Sequence, residues 1–258
     1  MTDAKLGQVG TARSGSTGRG VSPWLDWTAR AAIVIIYGGS ALMGAASVPR
    51  LLPLDSVHDL LIVAARMANV AFLGLVALTA ITRLAPIMKS RGIETRISAL
   101  LGTFLSIVLA FLPKAELGSI WSAVSTTLIL VGTSLCIVVL RWLGRSFSIQ
   151  AEARRLVTDG PYRIVRHPLY LCEGIALAGM TLQVLSPLAV LVAIVVVMIQ
   201  FRRMINEERI LRLAFPEYDA YAATTPFLIP AGLNSARPRR SANQAGRKLS
   251  TKAIDPQA

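Results

Sequence analysis

The sequence predicts an all-α, polytopic transmembrane bundle of about six spans, the last two forming a short helical hairpin. Three observations carry that expectation. Of 258 residues, 53% are hydrophobic and 16% charged, against roughly a quarter charged in an ordinary soluble domain. The apolar residues gather into runs able to reach across a hydrocarbon core ~30 Å thick. These runs lack the alternation of apolar and polar positions that marks a barrel strand, and outside a barrel a backbone in lipid pairs all its N–H and C=O groups only as helix.

The predicted spans are residues 31–48, 60–81, 97–112, 120–140, 169–185 and 188–201. Ahead of them, residues 1–29 are rich in Gly, Ser, Thr and Arg and read as a disordered tail, closed by Trp24 and Trp27 as interfacial anchors. Small residues at 45–47 resemble a signal-peptidase site, but the long polar stretch before them and the further apolar runs after them favour an uncleaved anchor. Ser186 and Pro187 alone separate the last two runs, a connection that forces an antiparallel hairpin. Four segments result: the tail, spans one to four over residues 30–144, a region 145–230 containing the hairpin, and a basic tail 231–258 expected to be disordered and weakly attracted to anionic lipid.

The formal net charge of +13 does not indicate nucleic acid, because the basic residues lie in the connections between apolar runs and not in a patch interleaved with aromatics. They do set orientation. Lys5, Arg13, Arg19, Arg30, Arg83, Lys89, Arg91, Arg96, six arginines from Arg141 to Arg166 and all that follow Phe201 fall on one side; the opposite loops hold only Arg50 and Lys114. The positive-inside rule then places both termini in the cytoplasm of a multi-pass integral membrane protein. Cys136 and Cys172 lie in or beside apolar runs, so neither a disulfide framework nor a paired-cysteine zinc site is expected.

Chemistry concentrates on the two flanks of the hairpin. From Leu156 the chain reads LVTDGPYRIVRHPLYLCEG; Gly160 and Pro161 make a turn, and Pro168 suits the first turn of a helix, which puts His167 near the N-cap. That helix start, with free N–H groups, faces the cytoplasmic interface and suits an anion. The chain returns as FRRMINEERILRLAFPEYDAYAATTPFLIP, where Arg203 and Glu207 are four residues apart on one helical face and Glu208 is turned about 100° from them. Tyr218 and Tyr221 follow, placed to close over whatever lies between the flanks. Read alone, Arg203 and Glu207 are a helical ion pair worth about 0.5 kcal/mol, His167 is a cap residue, and the tyrosines belong to an interfacial belt. Arg66, inside the second run with Asn69 one turn on, is a functional candidate because an ionisable residue there is costly; snorkelling or pairing with Asp59 is its structural alternative.

The ordered set Gly160, Tyr162, Arg166, His167, Pro168, Tyr170, then Glu207, Glu208, Leu211, Phe215, Tyr218, Tyr221 and Pro230 resembles the isoprenylcysteine carboxyl methyltransferase family and the wider group of membrane-embedded phospholipid and thiol methyltransferases, over about residues 145–230. The resemblance implies an S-adenosylmethionine pocket at the cytoplasmic membrane surface. It places Arg154, Arg155, Leu156, Val157, Tyr162, His167, Pro168, Leu169, Tyr170 and Glu207 on the cofactor, and Arg203, with Glu207 and His167, at the reaction. Cys172 and Pro216 stand where many relatives have glycine.

Methyl transfer to a lipid-linked or small apolar acceptor is the function that follows, and it needs mainly alignment and exclusion of water. A carboxylate or thiolate acceptor requires no base, whereas a protonated amine does, with His167 or a glutamate to supply it. Two other readings stand beside it. Sterol-reductase-like proteins, which use NADPH, resemble the chain in an arginine, histidine, proline and tyrosine run before a hairpin, and a non-catalytic membrane scaffold is the third. The acceptor and the oligomeric state are left open by the sequence.

Overall fold

The computed structural model describes residues 23–84, 87–89, 98, 101–102, 105–147 and 152–230. Both tails, apart from residues 23–29, and positions 97, 99, 100, 103 and 104 of the run at 97–112 lie outside these residues. The elements are α1 (Pro23–Ala46), α2 (Val57–Thr82), the single turn α3 (Ile107–Ala110), α4 (Ser119–Leu143), α5 (Pro168–Gln183), α6 (Pro187–Ala214) and α7 (Tyr218–Thr224), with two-residue strands β1 (Met88–Lys89) and β2 (Glu152–Ala153) paired antiparallel.

Among the described residues, four helices are long and apolar enough to cross a membrane: α1, α2, α4 and α6. These four correspond to the first, second, fourth and sixth of the expected runs. The fifth run forms α5, whose 16 residues rise about 24 Å at 1.5 Å per residue, short of a ~30 Å core. The sixth run continues as helix past the end of its apolar span at Phe201 to Ala214, 28 residues in all, which carries Arg203 and Glu207 on the returning helix as expected. Apolar character ceases at Phe201, but Arg, Met and Glu are good helix formers, so the backbone stays helical past that point. The first helix likewise begins at Pro23, so that the last seven residues of the expected tail, 23–29, are helical.

Local sequence explains the helix ends. Ser56 Oγ accepts from Asp59 N–H to cap α2, and Ser186 Oγ accepts from Ala189 N–H to cap α6, each at 3.1 Å, with Pro187 in the first turn of α6. Large apolar side chains such as Ile35, Leu42, Leu78 and Ile81 point outward, a belt that water would not tolerate and lipid does. The closest packing is between α4 and α5. A Cβ on Gly132 would lie 2.5 Å from the Ala176 backbone nitrogen, one on Gly179 2.7 Å from the Ser125 carbonyl oxygen, and Ser125 Oγ donates to the Gly179 carbonyl at 2.9 Å. Small residues that let backbones touch are a recurrent means of joining helices where lipid supplies no hydrophobic drive.

On its other side α5 meets α6 differently. Near the connecting turn Leu177, Val184, Ala189, Val192 and Val196 form an apolar cluster with Leu109 of α3. Beyond it the two helices are bridged by polar side chains, and a cavity opens between them.

A candidate cofactor and acceptor cavity

The loop before α5 is folded by its own sequence. Gly160 sits at φ +60°, where a Cβ would also collide with the Trp142 ring at 2.6 Å, so glycine is required twice over. Pro168 starts α5 and His167 is its N-cap residue, although the imidazole makes no capping bond. On the returning side, Glu208 gathers three partners: Arg166 Nη1 at 2.8 Å, Arg212 Nη2 at 2.9 Å and His167 Nε2 at 3.4 Å. The segment after α6 then folds back over the loop. Tyr221 Oη donates to the Tyr162 carbonyl at 2.7 Å, Arg166 N–H to the Pro226 carbonyl at 2.8 Å, and the Phe227 ring lies against both Arg166 and His167. Two stretches on either flank of the helical pair therefore meet in one place.

Between them lies a cavity of about 850 Å³, within the roughly 300–1,000 Å³ of small-molecule sites. Arg154, Arg155, Leu156, Val157, Tyr162, His167, Leu169, Tyr170, Arg203 and Glu207 all line it. Pro168 is the exception: it is buried and shapes the backbone instead of facing the cavity. Glu208, turned away from Glu207 by helical geometry, serves the latch just described.

Two parts of the cavity differ in chemistry. At one end Arg154, 4% exposed, pairs with Glu152 through Nη2, while its Nε and Nη1 have no partner among the described residues. Unpaired guanidinium donors at a buried position are costly and call for an acceptor such as a carboxylate. The other end runs between α1, α2, α4, α5 and α6 past Phe72, Val76, Leu128, Ile129, Leu177 and Met180, an apolar bed. Where the two parts join, Tyr170 Oη donates to Glu207, Gln200 Nε2 donates to Glu173 Oε2 at 2.9 Å, Arg203 Nη1 donates to Gln200 Oε1 at 2.9 Å, and the Arg203 guanidinium lies 5.4 Å from the Tyr170 ring centre.

Loss of hydration and the Glu207 charge push the Tyr162 phenol well above its ordinary pKa, and burial with the Glu208 carboxylate does the same to Tyr218. Burial pushes Tyr221 up to about 12. All three are therefore neutral hydroxyls near neutral pH, able to donate.

Glu152, Glu173 and Gln200 were not singled out in the sequence. Glu173 carried a usable signal, an ionisable residue inside an apolar run; Glu152 and Gln200 carried none, since only the fold brings them to the cavity. The same signal pointed to Arg66, which is exposed on α2 and outside the cavity lining, while its neighbour Asn69 lines it. Asp59, the suggested partner of Arg66, accepts instead from Ser56 Oγ at 2.7 Å. Cys172 is buried against Cys136, Val139 and Leu169, outside the cavity lining, so its presence in place of glycine leaves that lining unchanged.

The fold and this cavity define a helical membrane protein with a binding site that is polar at one end and apolar at the other. Residues 115–217 match the family model described as phospholipid methyltransferase. The chain is also similar to the nickel-cobalt-cadmium resistance protein NccN of Alcaligenes xylosoxydans xylosoxydans, 32% identical over 42% of this chain and 51% of that protein. It is 33% identical to the cobalt-zinc-cadmium resistance protein CzcN of Cupriavidus metallidurans over 50% of this chain and 59% of that protein. The chain thus spans between half and two-thirds of the length of these relatives.

Proposed function

We propose that the protein transfers a methyl group from S-adenosylmethionine to an acceptor carrying a lipid-like chain, at the cytoplasmic surface of the membrane. The observation that carries this reading is the two-part cavity, with unpaired Arg154 donors at the polar end and an apolar bed at the other. Arg154 would hold the donor's carboxylate and Glu152 its ammonium group; Arg155, Leu156, Val157, Tyr162, Leu169 and Tyr170 would surround the nucleoside, with Glu207 fixed beside it by Tyr170. When bound, the donor supplies an electrophilic methyl group already activated by a sulfonium. The chain's own work is to align, neutralise and exclude water.

His167 would be a positioning residue: its Nε2 is turned to Glu208 and its ring is packed by Phe227, an arrangement that fits holding the loop and not moving a proton. Arg203 would sit at the junction facing the acceptor. The match of residues 115–217 to the phospholipid methyltransferase model favours this reading over an NADPH-dependent reductase. The names of the two relatives refer to metal resistance and state no acceptor, so the acceptor is argued from the cavity. Incubating purified protein with methyl-labelled S-adenosylmethionine and total membrane lipid tests the reading: label is expected in an organic-soluble product, and its absence from every lipid fraction would refute lipid methylation.

A further inference from the structure

Resting on that reading, we infer that Glu173 is the proton acceptor of the reaction and that the acceptor is an uncharged nucleophile bearing a removable proton, an amine or thiol head on an aliphatic chain, and not a carboxylate. The argument begins with position. Glu173 is on the second turn of α5, three residues beyond Tyr170, and lines the cavity where the polar end gives way to the apolar bed. Its Oε2 accepts from Gln200, and among the described residues Oε1 receives no hydrogen bond. Gln200 itself accepts from Arg203, so the carboxylate is held in one orientation by a relay from α6. The other carboxylate at the junction, Glu207, has the Tyr170 hydroxyl on Oε1, and the Glu208 carboxylate is committed to Arg166 and Arg212.

Charge then selects the acceptor. Within electrostatic reach of Glu173 are Arg203, Glu207, Tyr170, Tyr162, Cys136 and Cys172. Among the described residues, the formal charges at the junction are two carboxylates, Glu173 and Glu207, facing one guanidinium, Arg203, a net charge of −1 that the sulfonium of a bound donor brings to zero. A neutral amine or thiol keeps the site neutral. A carboxylate acceptor would add an uncompensated negative charge to an apolar-walled cavity, which is strongly unfavourable. In the transfer the nucleophile's lone pair forms the bond to the methyl carbon, the pair of the breaking C–S bond stays on sulfur, and the nucleophile's proton passes to Glu173. The site is neutral before and after, and the proton leaves with the opening of the cavity.

The test uses the full-length protein in detergent with three probes of equal chain length: dodecylamine, dodecanethiol and dodecanoate. Methylation of the amine or the thiol at least tenfold faster than of dodecanoate is expected; dodecanoate equal or faster, or no methylation of any of the three, overturns the inference. Glu173→Gln keeps the bond to Gln200 and should leave the dissociation constant of S-adenosylhomocysteine unchanged within about twofold. Its rate with the preferred probe should fall about 100-fold at pH 7 and recover roughly tenfold per pH unit as the probe sheds its own proton. An unchanged rate and flat pH profile in Glu173→Gln, or loss of S-adenosylhomocysteine binding in it, would also overturn the assignment. Absence of S-adenosylhomocysteine binding to the unaltered protein is a different result: it would refute the methyltransferase reading itself.

Discussion

Helix α5 makes two contacts that differ in kind. Toward α4 it presents Gly179 and Ala176, and the helices close until backbone atoms meet Gly132 and Ser125. Toward α6 it shares an apolar cluster near the turn and then reaches across by long polar side chains, Glu173 to Gln200 and Tyr170 to Glu207. One face of a 16-residue helix is thus a fixed wall and the other the side of a cavity. Small residues give rigidity in lipid because they maximise close packing; long hydrogen-bonded side chains hold two helices at a distance and leave room for a ligand between them.

The contrast can be broken at its rigid side most severely. Gly132→Val should destabilise the protein by about 3 kcal/mol through overpacking, read as a drop in unfolding midpoint in detergent, whereas Gly174→Ala, where a Cβ meets nothing within 4 Å, should be close to neutral. Tolerance of valine at 132 would show that the two helices do not rely on that contact. On the cavity side, Arg154→Leu should weaken S-adenosylhomocysteine binding about 100-fold, roughly 2.8 kcal/mol, by calorimetric titration, and should also lower folding stability, because it takes the guanidinium away from the buried Glu152 carboxylate. Glu208→Gln removes the charge that gathers Arg166, His167 and Arg212 and should cost about 2 kcal/mol, with faster proteolysis after Ala214. Tyr221→Phe deletes a single hydrogen bond to the Tyr162 carbonyl and should cost about 1 kcal/mol.

The last effect is a pH dependence. An unfolded chain's tyrosine loses its proton near pH 10, whereas folded Tyr221 keeps its own to about 12. Between those values the unfolded state is the one that ionises, so folding stability should decline as pH rises from 10 toward 12. Melts at pH 9 and pH 11 should show a smaller decline in Tyr221→Phe than in the parent.

Much of this was legible in the sequence for physical reasons. The apolar runs marked α1, α2, α4 and the start of α6 because lipid demands continuous apolar helix. Pro168, Gly160 and Ser186 fixed local turns through constraints of one or two residues. What escaped was whatever depends on partners distant along the chain. Glu208 looked like the lesser of two adjacent glutamates until the fold put Arg166 and His167 beside it. Gln200 was hidden in an apolar run, and Glu152 in a connection, because neither has meaning apart from Glu173 and Arg154. Hydropathy marked the end of the apolar span at Phe201 because it reports the surrounding solvent, while how far the helix runs beyond it, to Ala214, depends on the backbone preferences of Arg203 to Arg212.

The central claim is that the polar end of the cavity binds the nucleoside sulfonium donor, and thermal unfolding of the purified protein with S-adenosylhomocysteine or NADPH tests it most directly. A saturable rise in melting temperature with S-adenosylhomocysteine, absent with NADPH and abolished in Arg154→Leu, is the predicted result; stabilisation by NADPH with none by S-adenosylhomocysteine would contradict it.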